Sequence, residues 1–277
     1  FCMVAYESGI AELKGLENWD TSSVTDMSSM FYGTIKSSDA PIVDLSNWNV
    51  SNVTNMSGMF GFGDVGMSGV WKFGNLSKWD TSKVTDMLGL FENRGLGVSI
   101  GDLSNWNTSN VTNMYRMFYG AFSSEIKWIE NWDTSQVTNM SYMFSNNYCN
   151  NLDLDLSNWN VSKVTNISSM FSHFDASSSF SLNLSGWDLS NVVSLYEMFS
   201  SAGNDAKTLY INLSGWNIVS ATDMTKMFEE TGSNSTSWTV IIPKTSNGNV
   251  NTTLKLYGKY TSNFAAPPSG RTFTLAT

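Results

Sequence analysis

One motif repeats through most of this chain of 277 residues, and the repetition limits how the chain can fold. A tryptophan that follows a leucine or isoleucine by three positions recurs at intervals of 26 to 31 residues. The eight tryptophans, which number the copies from one to eight, are Trp19, Trp48, Trp79, Trp106, Trp132, Trp159, Trp187 and Trp216. Self-similarity at such a period is typical of solenoids, in which each unit buries its apolar face against its neighbours.

Each copy contains three kinds of segment. The residues before the leucine often alternate between apolar and polar side chains, as in residues 152–156, which predicts a half-buried strand. Asp, Asn, Ser and Thr follow the tryptophan and favour a turn. Val, two Met and Phe then recur at positions i, i+3, i+6 and i+7, as in residues 53–60, which predicts a short helix. The sequence therefore predicts an α/β solenoid of eight strand–short-helix units.

Both ends of the chain depart from the repeat. An open solenoid needs caps, because its terminal units expose unpaired backbone and core. We therefore expect one continuous domain with an N-terminal cap (1–15), an eight-repeat solenoid (16–228) and a β-rich C-terminal cap (229–277). Within the second cap, residues 237–242 are predicted to form a strand.

The charge balance argues against two classes of partner. The chain has a net charge of -9, a pI near 4.5 and no basic run. Because contacts to phosphate need clustered Lys and Arg, we expect neither nucleic acid nor an anionic membrane surface as a partner. No apolar run approaches the length of about 18 residues that spans a membrane, so we expect no membrane insertion by this chain.

Two ladders of Asp and Asn invite a comparison with calcium sites. One directly follows the tryptophans, and the other lies at the start of the predicted helices. Calcium prefers several converging carboxylates, yet half of the residues after the tryptophans are neutral Asn. Capping a turn or a helix needs only a side-chain oxygen, which both residue types supply. We therefore interpret both ladders as caps and expect no metal and no cofactor.

The strand segments of copies three to five supply most of the candidate binding residues. Their apolar residue lies three positions before the leucine, and Gly74 or Gly101 follows it in copies three and four. A bulge at the glycine would turn this side chain inward, whereas otherwise it would join an exposed aromatic patch, the mark of a binding site. A polar ladder just before the leucine is either solvated or part of a ligand groove. The candidate ligand-binding residues are Trp71, Phe73, Ile100, Ile126 and Trp128, together with Asp102 and Asp155 of the polar ladder.

The side chains that most enzymes use are scarce. His173 is the only histidine, and the chain has no Ser–His or Cys–His constellation and no Gly-rich phosphate loop. We therefore predict that the chain is not an enzyme. A carboxylate-dependent, glycan-active enzyme is the less favoured alternative, because distant carboxylates can converge in a fold.

The repeat also resembles a known family. Residues 45–60, Leu-Ser-Asn-Trp-Asn-Val-Ser-Asn-Val-Thr-Asn-Met-Ser-Gly-Met-Phe, are similar to the repeat of BspA-like leucine-rich-repeat surface proteins of bacteria and mycoplasmas, which commonly carry Phe in place of this Trp. The resemblance covers residues 13–228 and not the caps. It implies a leucine-rich-repeat-type solenoid and an extracellular location at the bacterial cell surface, where segments outside this chain would provide an anchor.

The same resemblance sets the functional expectation. It implies a non-catalytic adhesion module that recognises a host or microbial surface protein or glycan. The main alternative is a structural spacer that displays another domain.

Overall fold

The chain folds into a parallel β-solenoid with almost no helix. The computed structural model describes residues 15–32, 44–61, 73–93, 100–121, 129–217, 223–243 and 268–276. The helical content of these ranges consists of two 3₁₀ segments, Leu16–Asn18 and Leu76–Lys78. The predicted repeat architecture is therefore present, but the strand–short-helix unit is wrong. The number of structural units, eight, stays a prediction.

A sheet of five parallel strands follows the C-terminal half of the chain. The strands are β1 (Tyr148–Asp155), β2 (Asp175–Asn183), β3 (Thr208–Asn212), β4 (Ser237–Ile242) and β5 (Thr274–Leu275), and they pair in that order. Leu154, Leu182, Ile211 and Val240 occupy corresponding positions on four neighbouring strands. All four side chains are buried, because the alternating pattern places every second residue on the inner face.

A second parallel ladder runs along the Asx positions that were assigned to helix starts. Seven single bridges join Asp26, Asn55, Asp86, Asn113, Asn139, Asn166, Ser194 and Asp223 in sequence. Each bridge connects corresponding residues of successive copies. The copies are thus stacked in register over residues 26–223.

The segment that was predicted as a helix is instead a tight turn, and its backbone bonds to the next copy. In copy two, the Met59 amide donates to the Met56 carbonyl oxygen at 3.1 Å, which closes a β-turn. The Met56 amide donates to Asp86 O of the next copy at 3.0 Å, a bond that an α-helix would not make. Gly58, the third residue of this turn, has a φ of +59°, as a type II turn requires. Both methionines point into the core, because the turn brings its two ends to the same side.

Two aromatic ladders fill the solenoid interior. The phenylalanines that follow the second Met position stack with centroid separations of 5.3 to 5.9 Å between successive copies. From copy two onward, each indole N–H donates to the carbonyl oxygen of the Leu or Ile of the preceding copy, at 2.8 to 3.3 Å. The tryptophans therefore link copies both by packing and by hydrogen bonding.

The structure describes the predicted caps in part. Residues 1–14 of the expected N-terminal cap lie outside the described residues. In the C-terminal region, the predicted strand is β4, and Phe273 packs against Phe228 with a centroid separation of 5.1 Å. The boundaries of both caps stay predictions.

Candidate functional site

The structure shows that two of the predicted binding residues point inward. Phe73 is 1% exposed and Ile100 is 7% exposed, so both belong to the core. Gly74 and Gly101, which follow them, each have a φ of +76°, a conformation that suits glycine. The exposed-patch interpretation is therefore wrong for these two side chains. Trp71, Ile126 and Trp128, the other aromatic and apolar candidates, lie outside the described residues.

Asp102 and Asp155 are exposed, and each closes a local turn. The Ser104 amide donates to Asp102 Oδ1 at 2.8 Å. The Ser157 amide donates to Asp155 Oδ1 at 2.9 Å, and the Asn183 side-chain amide donates to Asp155 Oδ2 at 3.1 Å. Both carboxylates thus stabilise the backbone of their own turns.

The other Asx ladders make the same kind of contact. Asp20 accepts from the Ser22 amide at 3.0 Å, and Asn49 accepts from the Ser51 amide at 3.1 Å. Asp and Asn are therefore equivalent in these turns, although they cap β-turns and not the predicted helices. Within the described ranges, no group of three or more His, Cys, Asp or Glu side chains is arranged to hold a metal ion.

These turns make the stability of the fold depend on pH. Hydrogen bonds from the Ser46 hydroxyl and backbone hold the pKa of Asp44 below its ordinary value, and the Ser82 hydroxyl and backbone do the same for Asp80. The folded state then binds fewer protons than the unfolded state, so stability is present above the ordinary Asp pKa and is lost as the pH falls through the folded value.

We expect the triple variant Asp20→Asn, Asp44→Asn, Asp80→Asn to lose less stability in acid than the original chain. The Asn side chains keep the turn contact without titrating, as Asn49 does at the position equivalent to Asp20. Melting temperatures followed by circular dichroism from neutral pH to about pH 2 measure the effect. The control is Glu17→Gln, which removes a carboxylate outside these turns. Equal acid losses in the triple variant and the original chain would contradict the assignment.

A different surface concentrates the side chains that are typical of recognition. We call it the turn face: the two residues between the Met positions of each copy, plus the residue after the Phe. Copies two and six have only Ser and Gly there, whereas copy four has Tyr115, Arg116 and Tyr119. With Tyr142 of copy five and Glu92 of copy three, these residues form what we call the tyrosine–arginine patch.

Arg116 lies at the centre of this patch. Its guanidinium carbon is 5.3 Å from the ring centroid of Tyr115, 5.0 Å from that of Tyr119 and 5.3 Å from that of Tyr142. Its Nη1 lies 3.2 Å from Glu92 Oε1. The Tyr115 and Tyr142 rings meet edge to face with centroids 6.0 Å apart. Three cation–π contacts and one ion pair thus hold the side chains of the patch in a fixed arrangement.

The backbone beneath the patch favours small residues. Arg116 has a φ of +53° and Tyr142 has a φ of +58°, in the left-handed region that bulky residues rarely adopt. Gly58 and Gly89 occupy the same turn position in copies two and three. Because all eight copies have a positive φ at this position, the conformation is a property of the repeat and not of the patch.

The comparisons with known proteins identify a family and no closer relative. No curated protein and no solved structure matched the chain. The model of the family described as "Mycoplasma protein of unknown function, DUF285" matches residues 3–95, 65–173, 93–204 and 172–252. Overlapping matches along most of the chain agree with the repeat seen in the sequence. No helix within the described part of the chain has the length and apolarity to cross a membrane. Because these matches together extend from residue 3 to residue 252, the chain belongs to the DUF285 family.

Proposed function

We propose that this chain is a non-catalytic adhesion module of the bacterial cell surface that binds a protein partner through the tyrosine–arginine patch. The patch is the observation that carries the proposal. Tyr and Arg are enriched at the energetic centres of protein interfaces, where they give large contact areas. Arg116 is already held by three rings and Glu92, so little side-chain freedom remains to be lost on binding.

The scaffold supports the same proposal. The inward residues are nearly identical from copy to copy, whereas the turn face differs, so the turn face is where copies acquire individual properties. We infer that each of the eight copies forms one coil, and the seven bridges between successive copies support this count. The resemblance of residues 45–60 to BspA-like repeats supports the surface location, with an anchor supplied by segments outside this chain.

We expect the double variant Arg116→Ser, Tyr142→Ser to bind its partner about tenfold more weakly or worse, because both residues contribute to the centre of the patch. Ser occupies the same turn position in copies one and six, as Ser29 and Ser169, so the fold tolerates it. Purified labelled chain would be applied to arrays of surface proteins and glycans, and affinities would be measured for each hit.

The matched control is Tyr210→Ser, which removes a tyrosine that is 39% exposed on β3 and distant in sequence from the patch. An equal loss of affinity in the control and the double variant would show that the tyrosine–arginine patch is not the binding surface. Binding to glycans alone would indicate a carbohydrate partner instead of a protein. A chain that binds nothing on either array would act as a spacer.

A further inference from the structure

The turn face carries one carboxylate more than its cations neutralise. Its charged residues are Glu92, Arg116, Glu197, Lys226 and Glu229. Arg116 pairs with Glu92 at 3.2 Å, and Lys226 pairs with Glu229 at 3.0 Å. Among the described residues, Glu197 has no ion pair within 4 Å, although Lys226 of the next copy, which pairs with Glu229, also attracts it at longer range. It lies beside the Tyr196 hydroxyl, whose pKa it raises by hydrogen bonding and by its negative charge.

An unpartnered hydroxyl lies between the patch and this carboxylate. Ser169 is 1% exposed, and within the described residues its Oγ is one of two buried side-chain polar atoms without a hydrogen-bond partner, the other being Arg116 Nε. A buried polar atom without a partner is costly and calls for an explanation. Both atoms belong to the turn face, at the same turn position of copies four and six.

Backbone bonds fix the neighbours of Ser169. The Tyr142 amide of copy five donates to Ser168 O at 2.9 Å, and the Ser169 amide donates to Tyr196 O of copy seven at 2.8 Å. Successive parallel segments lie about 4.8 Å apart, so Tyr142 and Glu197 are separated by about 10 Å at the backbone, with Ser169 between them. Two half-buried tyrosines and a carboxylate therefore lie on the segments that flank one buried point, the Ser169 hydroxyl.

We propose that this point receives a lysine or arginine side chain from the protein partner, so that the cation lies between Tyr142 and Tyr196, pairs with Glu197 and donates to Ser169 Oγ. The inference rests on the proposed function and names the chemistry of its partner. Ammonium and guanidinium groups are donors without acceptors, which matches a site made of a carboxylate, a hydroxyl oxygen and ring faces.

Two further observations favour a basic partner over an acidic one. The rings of the adjacent patch already hold a cation, Arg116, at 5.0 to 5.3 Å, so tyrosines in this part of the solenoid are placed for cation–π contact. The net charge of -9 also attracts a basic segment during encounter. Because Ser169 is only 1% exposed, side chains around it must move when the cation enters.

The test uses three peptides of equal length, rich in Lys, in Glu, or in Gly and Ser, titrated into the full chain and followed by backbone amide NMR. We expect saturable shifts at Ser169 and Tyr196 with the Lys peptide alone. Glu197→Gln, Ser169→Ala and Tyr142→Ser should each weaken this binding by about two- to fivefold. Ser169→Ala removes a hydroxyl that bonds nothing, so the variant should fold normally.

Glu17→Gln is the matched control, because it removes the same charge far along the chain from Glu197. It should leave the affinity unchanged, whereas equal weakening by Glu17→Gln and Glu197→Gln would show diffuse attraction to an acidic protein and overturn the site. A Lys peptide that does not bind would also overturn it. In either case, loss of array binding in the Arg116 and Tyr142 double variant would leave the proposed function standing.

Discussion

Replacing Phe144 by Ala should lower the free energy of unfolding by about 3–5 kcal/mol. Phe144 is fully buried, and its ring stacks on Phe118 at 5.7 Å and on Phe171 at 5.4 Å. The substitution therefore removes ring contacts with two neighbouring copies at once and leaves a cavity that a turn-rich backbone cannot easily collapse. Urea unfolding, followed by the fluorescence of the 11 tryptophans, measures the loss.

The control for this variant is Tyr148→Ala, which removes an aromatic ring of similar size that is 52% exposed. It should change stability by less than about 1 kcal/mol. Since each unit of a solenoid contacts only its neighbours, the break at Phe144 should also broaden the transition and lower its denaturant dependence. Equal unfolding midpoints for the two variants would show that the phenylalanine stack is not the main source of stability.

The repeat and the buried residues could be predicted from the sequence. The local conformation of the segment from Val to Phe in each copy could not. Val53, Met56, Met59 and Phe60 are all buried, as their apolar pattern indicates. A β-turn also brings residues i and i+3 to the same side, so a chain of turns reproduces helical spacing over so short a run. What distinguishes the two is the bonding partner: the Met56 amide bonds to the next copy, and that information is not local in sequence.

The candidate site was harder to predict from the sequence than the repeat. The sequence argument favoured the apolar residues that lie three positions before the leucine, yet Phe73 and Ile100 are core residues. A usable signal lay between the two Met positions, where copy four has Tyr115 and Arg116 and copy six has two serines. Only the stacking of copies brings Glu92 and Tyr142, from two other copies, against Arg116.

The other large effect is expected at Trp187, which is 1% exposed and stacks on Trp216 with centroids 6.3 Å apart. Trp187→Ala should lower the free energy of unfolding by about 3–5 kcal/mol through lost packing. Trp187→Phe keeps much of the ring and should cost about 1–3 kcal/mol, from the lost hydrogen bond and a smaller cavity. The same urea unfolding measurement compares both variants with the original chain.

The Phe variant isolates what the indole N–H contributes. Leu156 O accepts from Trp187 Nε1 at 2.8 Å and from the Trp159 amide at 3.0 Å, so the substitution removes one of two bonds and leaves the turn within the preceding copy intact. The loss therefore reports the link between copies. If Trp187→Phe were as stable as the original chain, the indole bond would add nothing to the backbone bonds and the packing that join the copies. A loss near the upper end of the range would instead show that the indole bond helps to fix the register of the stacked copies.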